Sequence, residues 1–302
     1  MFKFLFNNRL ITCLLILIIL VSTSCESRSQ KDTIIKINGT VFTLYSKVFI
    51  PSSLTYCNEE VPLKDSEIRE RLEKEILLLL QQPGQIVLYL KRSGRVFSQI
   101  EPILKKYSIP NDVKYLAVAE SALIINTSSK GAQGIWQIMP ETGRSLGLQV
   151  DEYIDERNDI DKSTVAACQY LQQGYSKFKN WTLTCAGYNM GHNGLNGSIN
   201  NQSRKDYYDL FLNSETYRYI FRILAIKVIF ENKDKYGLIL DESDYYQPYE
   251  VTSKEVEEVA NLAQWAVDNG TSLREVKYLN PWLINTSIPK SNKKFSIQIP
   301  KR

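Results

Sequence analysis

Two neighbouring stretches decide the fold predicted for this chain: residues 111–121, NDVKYLAVAES, and residues 128–140, SSKGAQGIWQIMP. The first predicts a short apolar helix that is capped by Asn111 or Asp112 and ends on the carboxylate of Glu120. A carboxylate at the end of an apolar helix is expected to be partly buried. Burial would raise its pKa towards the range that a general acid requires near neutral pH. Taken alone this signal is weak, because a glutamate at a helix end is more often solvated.

The second stretch places two glycines before an aromatic and an amide side chain. Gly131 and Gly134 allow the backbone to turn tightly and to approach a ligand closely. Trp136 then offers a flat face for stacking on a sugar, and Gln137 offers amide hydrogen bonds. The tryptophan is equally compatible with a place in the hydrophobic core.

Neutral polar side chains recur in the motif AGYNMG at residues 186–191. Tyr188 and Asn189 stand there at a predicted helix end, and both offer the uncharged hydrogen bonds that a sugar or an acyl-amino group requires. No second carboxylate stands out as a partner for Glu120. Four acids between residues 155 and 161 cluster directly before a helix, where capping and neutralisation of the helix dipole is their expected role. One of them would act in catalysis only if the fold brought it back to the cleft.

Helical periodicity dominates the rest of the chain. A helix is predicted from Asp65 and Ser66 up to Pro83-Gly84, and further short helices follow, with Pro102 near a helix start or a kink. Other helices are predicted from residue 140 and at residues 164–178, 181–190 and 214–230, with a hairpin turning on Asn38-Gly39 at residues 33–44. The tail predicts two short helices, residues 256–270 and 272–280, and a final strand at residues 294–300, without a clear first strand.

The N-terminus has the pattern of a bacterial lipoprotein leader. Lys3 and Arg9 give the first residues a positive charge. The apolar run that follows, from Leu10 to Val21, is too short to span a hydrocarbon core of roughly 30 Å. Cys25 follows three small residues, in the place where a lipobox cysteine is lipidated, although Ser22 stands where a bulky aliphatic residue is more usual. We therefore expect lipidation of Cys25 in preference to an ordinary cleaved signal.

Composition argues against several classes of function. The formal net charge is +4, two of the positive charges lie in the leader, and no long basic stripe marks a nucleic-acid partner. A histidine-based triad or metal site would depend on the single histidine, His192, and its Gly/Asn-rich surroundings favour a solvated loop residue. Cys57, Cys168 and Cys185 leave an odd count after the leader. Cys168 and Cys185 are expected to be small buried side chains more than partners in a disulfide.

Four motifs stand in a fixed order: ES at residues 120–121, GAQGIWQIMP at 131–140, GYN at 187–189 and ETYRYIFRILA at 215–225. In this order they resemble the soluble-lytic-transglycosylase (SLT) family, and most of all its membrane-bound type D enzymes of Bacteroidetes-like bacteria. The resemblance covers roughly residues 61–300. Each motif alone would be weak, whereas four in order behind a lipoprotein leader are specific.

The resemblance implies a mainly α fold: a lysozyme-like helical catalytic domain with a small N-terminal hairpin and a C-terminal, degenerate LysM-like α+β module. The module either binds glycan or serves as a structural cap. The expected organisation is a lipoprotein signal peptide at 1–24, a tether and hairpin at 25–62, a helical region packing on the catalytic domain at 63–109, the SLT domain at 110–240, a linker at 241–250 and the LysM-like module at 251–302.

The resemblance also implies a role for individual residues. Glu120 corresponds to the catalytic acid and base, and Tyr219 to the tyrosine that orients it. The implied substrate contacts are Ser121 beside the acid, Ser128 near the peptide-bearing sugar, Trp136 and Gln137 in the glycan groove, Tyr188 and Asn189 of the Tyr-Asn motif, and Tyr219. Gly187 replaces the usual alanine and Ser129-Lys130 replaces a proline and a small residue, changes that should leave the chemistry intact.

The implied reaction is cleavage of the MurNAc–GlcNAc β-1,4 bond of peptidoglycan, leaving 1,6-anhydro-MurNAc ends, without a metal or organic cofactor and in the service of cell-wall remodelling. A hydrolytic muramidase stays open and would need a second carboxylate to activate water. A non-catalytic peptidoglycan-binding lipoprotein also stays open, although the intact Glu120 argues against it. The expected partners are glycan strands and, through the lipid anchor, a membrane. An exported protein on the outer membrane, facing the periplasm, is the favoured location, and protein partners stay unknown.

Overall fold

The computed structural model describes residues 33–37, 40–44 and 48–302, and the chain divides into two compact units, residues 1–47 and 48–302. In the first unit, β1 (Thr33–Ile37) pairs with β2 (Thr40–Leu44) in an antiparallel hairpin, which confirms the predicted one. The predicted turn at Asn38-Gly39, the signal peptide at 1–24 and the lipidation site Cys25 lie outside the described residues.

Helices make up most of the second unit, which confirms the prediction of a mainly α fold. They are α1 (Ser66–Leu80), α2 (Pro83–Lys106), α3 (Lys114–Ser121), α4 (Pro140–Ser145), α5 (Ile160–Phe178), α6 (Trp181–Met190), α7 (His192–Gln202), α8 (Ser214–Glu231), α9 (Leu262–Asp268) and α10 (Leu273–Leu279). Two short antiparallel sheets accompany them: β3 (Thr55–Tyr56) with β4 (Glu59–Glu60), and β5 (Val251–Val256) with β6 (Phe295–Pro300).

The start of α1 follows from a side-chain cap. Asp65 accepts hydrogen bonds from the backbone N–H groups of Glu67 and Ile68, which have no partner within the helix. Ile68, Leu72 and Ile76 then recur at helical spacing and are buried. The start of the predicted helix is therefore confirmed, and its regularly spaced apolar residues face the core.

The second helix is longer than the sequence suggests. α2 begins with Pro83, where the missing N–H removes no helical hydrogen bond. The helix spans 24 residues and passes through Pro102, so the prediction of several short helices here is wrong. Buried apolar side chains recur along the whole helix, from Ile86 to Leu104, and their packing outweighs the local cost of a proline near the last turn.

The central element of the core is α8. It packs against α1, α3 and α6, and almost all of its residues from Tyr219 to Ile229 are buried. A helix that is apolar on most sides is stable only inside a core. This position brings Tyr219 next to the end of α3, where Glu120 lies.

The segment between the helical domain and the C-terminal module is held against α2. The backbone N–H of Tyr246 donates to the carbonyl of Lys91, and Nε of Arg95 donates to the carbonyl of Gln247, both at 2.8 Å. Gly94 allows the close approach, because a Cβ there would stand 2.7 Å from Cβ of Tyr245. The predicted linker is thus held against α2 around Tyr246 and Gln247, while most of its residues are exposed.

Residues 251–302 form a small α+β module around β5 and β6. The two strands pair from Val251 opposite Pro300 to Val256 opposite Phe295. The predicted absence of a first strand is therefore wrong, and the helix predicted from residue 256 begins only at Leu262. The side chains between Val251 and Val256 are exposed, so β5 lacks the apolar alternation by which a strand is recognised in sequence.

The module and the helical domain share a hydrophobic core. Ile154, from the loop before α5, packs among the buried side chains of the module, including Leu262, Val276 and Phe295. The backbone N–H of Asp155 also donates to the carbonyl of Trp282 at 2.8 Å. In the part of the chain that the structure describes, none of the helices is both long and apolar enough to span a membrane.

Candidate active site

Glu120 lies in the last turn of α3. The four residues before Ala119 are buried, and the helix ends because Ala122 adopts a left-handed conformation with φ of 57°. The Glu120 side chain is half-buried. Burial raises the pKa of its carboxyl above the ordinary value. The carboxyl therefore keeps its proton to higher pH than an exposed glutamate does.

Three side chains of α8 act on this carboxyl. The hydroxyl of Tyr219 donates a hydrogen bond to Oε1 of Glu120. This bond and the positive charge of Arg222 lower the pKa of Glu120, which opposes the larger effect of burial, and the negative charge of Glu215 raises it. Tyr219 itself is 1 % exposed, and burial holds its pKa far above the ordinary value. Its hydroxyl therefore keeps its proton to higher pH than an exposed tyrosine does.

Arg222 was not singled out from the sequence. Its guanidinium carbon lies 5.7 Å from the ring centre of Tyr219. Nε of Arg222 is buried without a hydrogen-bond partner among the described residues. Tyr219 and Arg222 are three positions apart and therefore neighbours on one face of the helix. With Tyr219 placed next to Glu120, this spacing predicts that Arg222 also lies near the site.

Glu215 is a second carboxylate near Glu120, and it was not singled out from the sequence. It stands in the first turn of α8, where an acidic residue is ordinary, and this common role conceals it. The acids between residues 151 and 161 have other tasks: Asp155 pairs with Arg157, and Asp159 caps α5. Glu215, and none of these acids, is among the groups that shift the pKa of Glu120.

Tyr188 and Asn189 lie at the end of α6, close to the same site. The hydroxyl of Tyr188 donates to the carbonyl of Trp136 at 2.8 Å. The side-chain oxygen of Asn189 accepts from Oγ1 of Thr216 at 2.8 Å, and its Nδ2 donates to Glu215 at 3.2 Å. The Tyr-Asn motif therefore connects the loop at Trp136 with the start of α8.

Two predicted substrate contacts are buried. Trp136 is 0 % exposed and its ring N–H donates to Oγ1 of Thr164 at 2.8 Å, so the expected sugar-stacking face is wrong and the core alternative holds. Ser121 is 3 % exposed, and its Oγ donates to the carbonyl of Ile135 at 2.9 Å. Ser121 thus ties the end of α3 to the loop and offers no group to a ligand.

Gln137 and Ser128 belong to one tight loop. Gln137 has φ of 48° and its Nε2 donates to the carbonyl of Gly134 and to Oδ1 of Asn126, both at 2.8 Å. Oγ of Ser128 accepts from the N–H of Ala132 at 3.0 Å. Both side chains are half-buried, so each has surface left for a ligand while it also holds the loop in shape.

The close approach at Gly134 is to protein. A Cβ at this position would stand 2.0 Å from the carbonyl oxygen of Arg157, and φ is +80°. Arg157 in turn is paired with Asp155 and donates to the carbonyls of Gly131 and Ile138 at 2.8 and 3.0 Å. The glycine-rich stretch is therefore joined to the segment before α5, and the sequence-based reason for Gly134, approach to a ligand, finds no support.

His192 is not the solvated loop residue that was expected. It begins α7, its ring stacks on Tyr170 with centroids 4.1 Å apart, and Nε2 is buried without a partner among the described residues. Burial lowers its pKa to about 4. The aromatic cluster around Tyr170 explains the difference, because its members come from three helices. Cys168 and Cys185 are free and buried, as predicted.

Comparison with known protein families agrees with the motifs. The family profile described as "Transglycosylase SLT domain" matches residues 98–211, and the profile described as "Soluble lytic transglycosylase C-terminal LysM-like domain" matches residues 252–302. The first match contains Glu120 and the Tyr-Asn motif. Glu215, Tyr219 and Arg222 lie beyond its end.

Curated relatives match part of the chain. It is 32% identical over 209 residues to "Membrane-bound lytic murein transglycosylase D" of Escherichia coli strain K12, covering 66% of this chain and 45% of that protein. It is 26% identical over 104 residues to a "Putative tributyltin chloride resistance protein" of Alteromonas sp. strain M-1, covering 34% of this chain and 50% of that one. The chain thus spans about half the length of the curated relatives it matches.

Among solved structures, the 70 kDa soluble lytic transglycosylase of Escherichia coli aligns over 49% of this chain and 27% of its own, with 23% identity and a TM-score of 0.38. An inactive mutant of lytic transglycosylase Slt from Pseudomonas aeruginosa aligns over 50% and 26%, with 21% identity and a TM-score of 0.35. On the family profiles and the curated relatives, this chain carries a transglycosylase SLT domain followed by a LysM-like domain, and it is homologous to membrane-bound lytic murein transglycosylase D.

Proposed function

We propose that this protein is a peptidoglycan lytic transglycosylase in which Glu120 cleaves the MurNAc–GlcNAc β-1,4 bond and leaves a 1,6-anhydro-MurNAc end. The observation that carries the proposal is the half-buried Glu120 carboxyl, which has a raised pKa and accepts a hydrogen bond from Tyr219. A protonated carboxyl held in one orientation is what general acid catalysis requires.

In the proposed reaction Glu120 serves first as acid and then as base. Its proton passes to the glycosidic oxygen as the bond between that oxygen and the anomeric carbon breaks. The Glu120 carboxylate then takes the proton of the C6 hydroxyl of the same muramic residue, whose oxygen bonds to the anomeric carbon. The acid is regenerated and no water is consumed. The tethered hydroxyl gains from proximity, for which effective molarities reach about 10⁵ M or more.

The carboxylate form that appears midway is stabilised by Tyr219 and by the charge of Arg222. We assign Tyr219 to orienting the acid, since it is buried and has no surface for a sugar. Direct substrate contacts are assigned to the half-buried Ser128, Gln137, Tyr188 and Asn189. Ser121 and Trp136 are assigned to holding the loop, because both are buried.

Hydrolysis is the second candidate, and Glu215 favours it. A muramidase needs a carboxylate that activates water on the face opposite the acid or acts as a nucleophile. Glu215 is close enough for its charge to raise the pKa of Glu120. The Glu215 carboxylate accepts a hydrogen bond from Asn189, which holds it in place. This bond is compatible with the lytic reaction as well as with hydrolysis.

The masses of soluble products from purified peptidoglycan test the proposal. Lytic cleavage yields muropeptides with 1,6-anhydro-MurNAc ends, about 18 Da lighter than hydrolytic products by one water. Products with reducing muramic acid, or with solvent ¹⁸O, would establish the muramidase instead. The absence of any soluble product would leave the third reading, a peptidoglycan-binding lipoprotein without activity.

We also propose that the protein acts in cell-wall remodelling from the membrane. Its relative in Escherichia coli is named a membrane-bound murein transglycosylase, and the leader pattern up to Cys25 suggests how this chain would be anchored. Attachment to the outer membrane, facing the periplasm, would place the SLT domain beside its substrate.

A further inference from the structure

A groove of about 1000 Å³ is lined by residues of both the helical domain and the C-terminal module. Glu120 is not among its lining residues. Its walls include Leu123 and Ile124, three and four residues after Glu120, and they extend to residues of the linker and of the module. The groove is therefore built by three parts of the chain and opens beside the proposed catalytic helix.

Aromatic side chains form one part of the lining. Tyr278 on α10 is 63 % exposed, Tyr249 in the linker is 38 % exposed, and their hydroxyl groups contact one another. The guanidinium of Arg95 stacks on the ring of Tyr249 at 3.9 Å. Because Arg95 covers a face of the Tyr249 ring, the flat apolar surface on which a sugar ring stacks comes mainly from the more exposed ring of Tyr278, with Tyr249 holding it in place.

Basic side chains form the other part. Four basic and two acidic side chains line the groove, so its charge is positive. Lys162, on α5, places Nζ 5.6 Å from the ring centre of Trp282 and also pairs with Glu156. Arg92 on α2 donates to the carbonyl of Ala122 at 3.1 Å. The basic groups come mainly from the helical domain, and the aromatic ones from the linker and the module.

We propose that this groove is a second binding site, which holds a disaccharide of the glycan strand together with its acidic stem peptide. The aromatic rings would take the sugars, and the positive charge would take the stem carboxylates. The volume is at the upper end of what small-ligand sites enclose. The proposal rests on the proposed function for the identity of the ligand. The proposed site is distinct from that of Glu120, and residues of both the helical domain and the module line it.

Site-resolved NMR titration tests the proposal. The ¹⁵N-labelled protein carrying Glu120→Gln, which prevents cleavage, is titrated with a purified disaccharide-tetrapeptide and, separately, with a stem-free N-acetylglucosamine tetramer. We expect amide signals of Lys162, Tyr278 and Gln298 to shift with both ligands, with an affinity that differs from that reported by Ser121. Signals in the groove that stay unchanged with both ligands would overturn the proposal. A third titration uses the free stem tetrapeptide, which lacks sugars. Groove shifts with this peptide, but not with the tetramer, would also overturn the proposal.

Two variants separate the two kinds of contact. Tyr278→Ala should weaken the groove affinity for both ligands by about three- to tenfold. Lys162→Gln should weaken it by about two- to fivefold for the stem-bearing ligand only, and Glu156 keeps its bond from the N–H of Gln149 in that variant. Val267→Ala, 65 % exposed on the same module, and Lys105→Gln, exposed on α2, are the matched controls and should change affinity by about twofold at most.

The groove and the proposed function fail in different ways. If the groove binds nothing, the unmodified protein still releases muropeptides and depends on Glu120. If the proposed function is wrong, the released muropeptides carry reducing muramic acid, or no muropeptide is released, whatever the amide signals of the groove show. Equal groove affinity in Tyr278→Ala, Lys162→Gln and the controls, with unchanged melting temperatures, would count against the assigned contacts and thus against the site.

Discussion

The hydroxyl of Tyr219 donates a hydrogen bond to Oε1 of Glu120, although 99 positions separate the two residues in the chain. α8 supplies the donor and α3 supplies the acceptor. Tyr219 is fully enclosed by the core, so its position is determined by the packing of α8 against α3. The orientation of the proposed acid therefore depends on the same contacts that stabilise the fold.

Glu120→Gln is expected to reduce muropeptide release by about 10²–10⁴-fold, because the amide has nearly the same shape and cannot donate an acidic proton.

The same variant also tests whether the Glu120 carboxyl is buried. A carboxyl with a raised pKa in the folded state stabilises the protein below its unfolded-state pKa, and this contribution is lost as pH rises through the folded-state pKa. The melting temperature of the variant relative to the unmodified protein should therefore increase with pH. A difference that is constant with pH would contradict the burial of Glu120.

Two substitutions on α8 are expected to move the pH dependence of activity in opposite directions. Arg222→Gln removes a charge that lowers the pKa of Glu120, and Glu215→Gln removes one that raises it. The basic limb of kcat/KM reports the acid, so it should shift to higher pH in the first variant and to lower pH in the second. Arg222→Lys keeps the charge and should leave the limb nearly in place. Shifts of the same sign in both glutamine variants would be inconsistent with this arrangement.

Gly134→Ala should be far more damaging than Gly131→Ala. Both glycines have positive φ, +80° and +84°, so an alanine is strained at either position. Only at Gly134 does the new Cβ meet backbone, 2.0 Å from the carbonyl oxygen of Arg157, whereas nothing lies within 4 Å at Gly131. We expect a loss of about 1–2 kcal/mol in unfolding free energy for Gly131→Ala and about 4 kcal/mol or more for Gly134→Ala, measured by urea denaturation. Similar losses in the two variants would show that the backbone at Gly134 does not lie as close to the Arg157 carbonyl.

Gly187→Ala, which restores the residue usual in the family, is expected to destabilise this protein. A Cβ there would stand 2.9 Å from Cδ2 of His192 and 3.1 Å from Cε2 of Phe178. Overpacking of this kind costs about 1–3 kcal/mol. Combined with His192→Ala, the alanine gains room, so the double variant should lose less stability than the sum of the single ones. Additive losses in a double-mutant cycle would show that His192 does not occupy the space beside Gly187.

Cys25→Ser should move the protein from the membrane fraction to the soluble fraction. The expectation rests on the position of Cys25 after the apolar run and on the need for two or more acyl chains for stable anchoring. The control is a serine substitution at Cys57, which is buried and lies well after the leader. Immunoblotting of the membrane and soluble fractions measures where each variant is found. Continued membrane association of Cys25→Ser would refute lipidation at this residue.

Local sequence was sufficient for most of the helices, because each start carries its own signal. The side chains of Asp65, Asn180 and Asn213 cap α1, α6 and α8 at the predicted positions. It was also sufficient for the family, since the order of motifs does not depend on where they lie in space. β5 was missed because its exposed side chains carry no pattern, and the length of α2 was missed because Pro102 is a local signal that long-range packing overrides.

The sequence by itself determined the mainly helical fold and the SLT motifs, and it was enough to propose Glu120 as the acid, because all three depend on the types and spacing of residues close together in the chain. Only the tertiary structure decided that Trp136 lies in the core, with its ring N–H bound to Thr164, and that Glu215 and Arg222 are the charges acting on Glu120. Burial and electrostatic interaction depend on distances in space between groups that are far apart in sequence. A tryptophan or a glutamate has the same local signature whether it faces a ligand, the core or solvent.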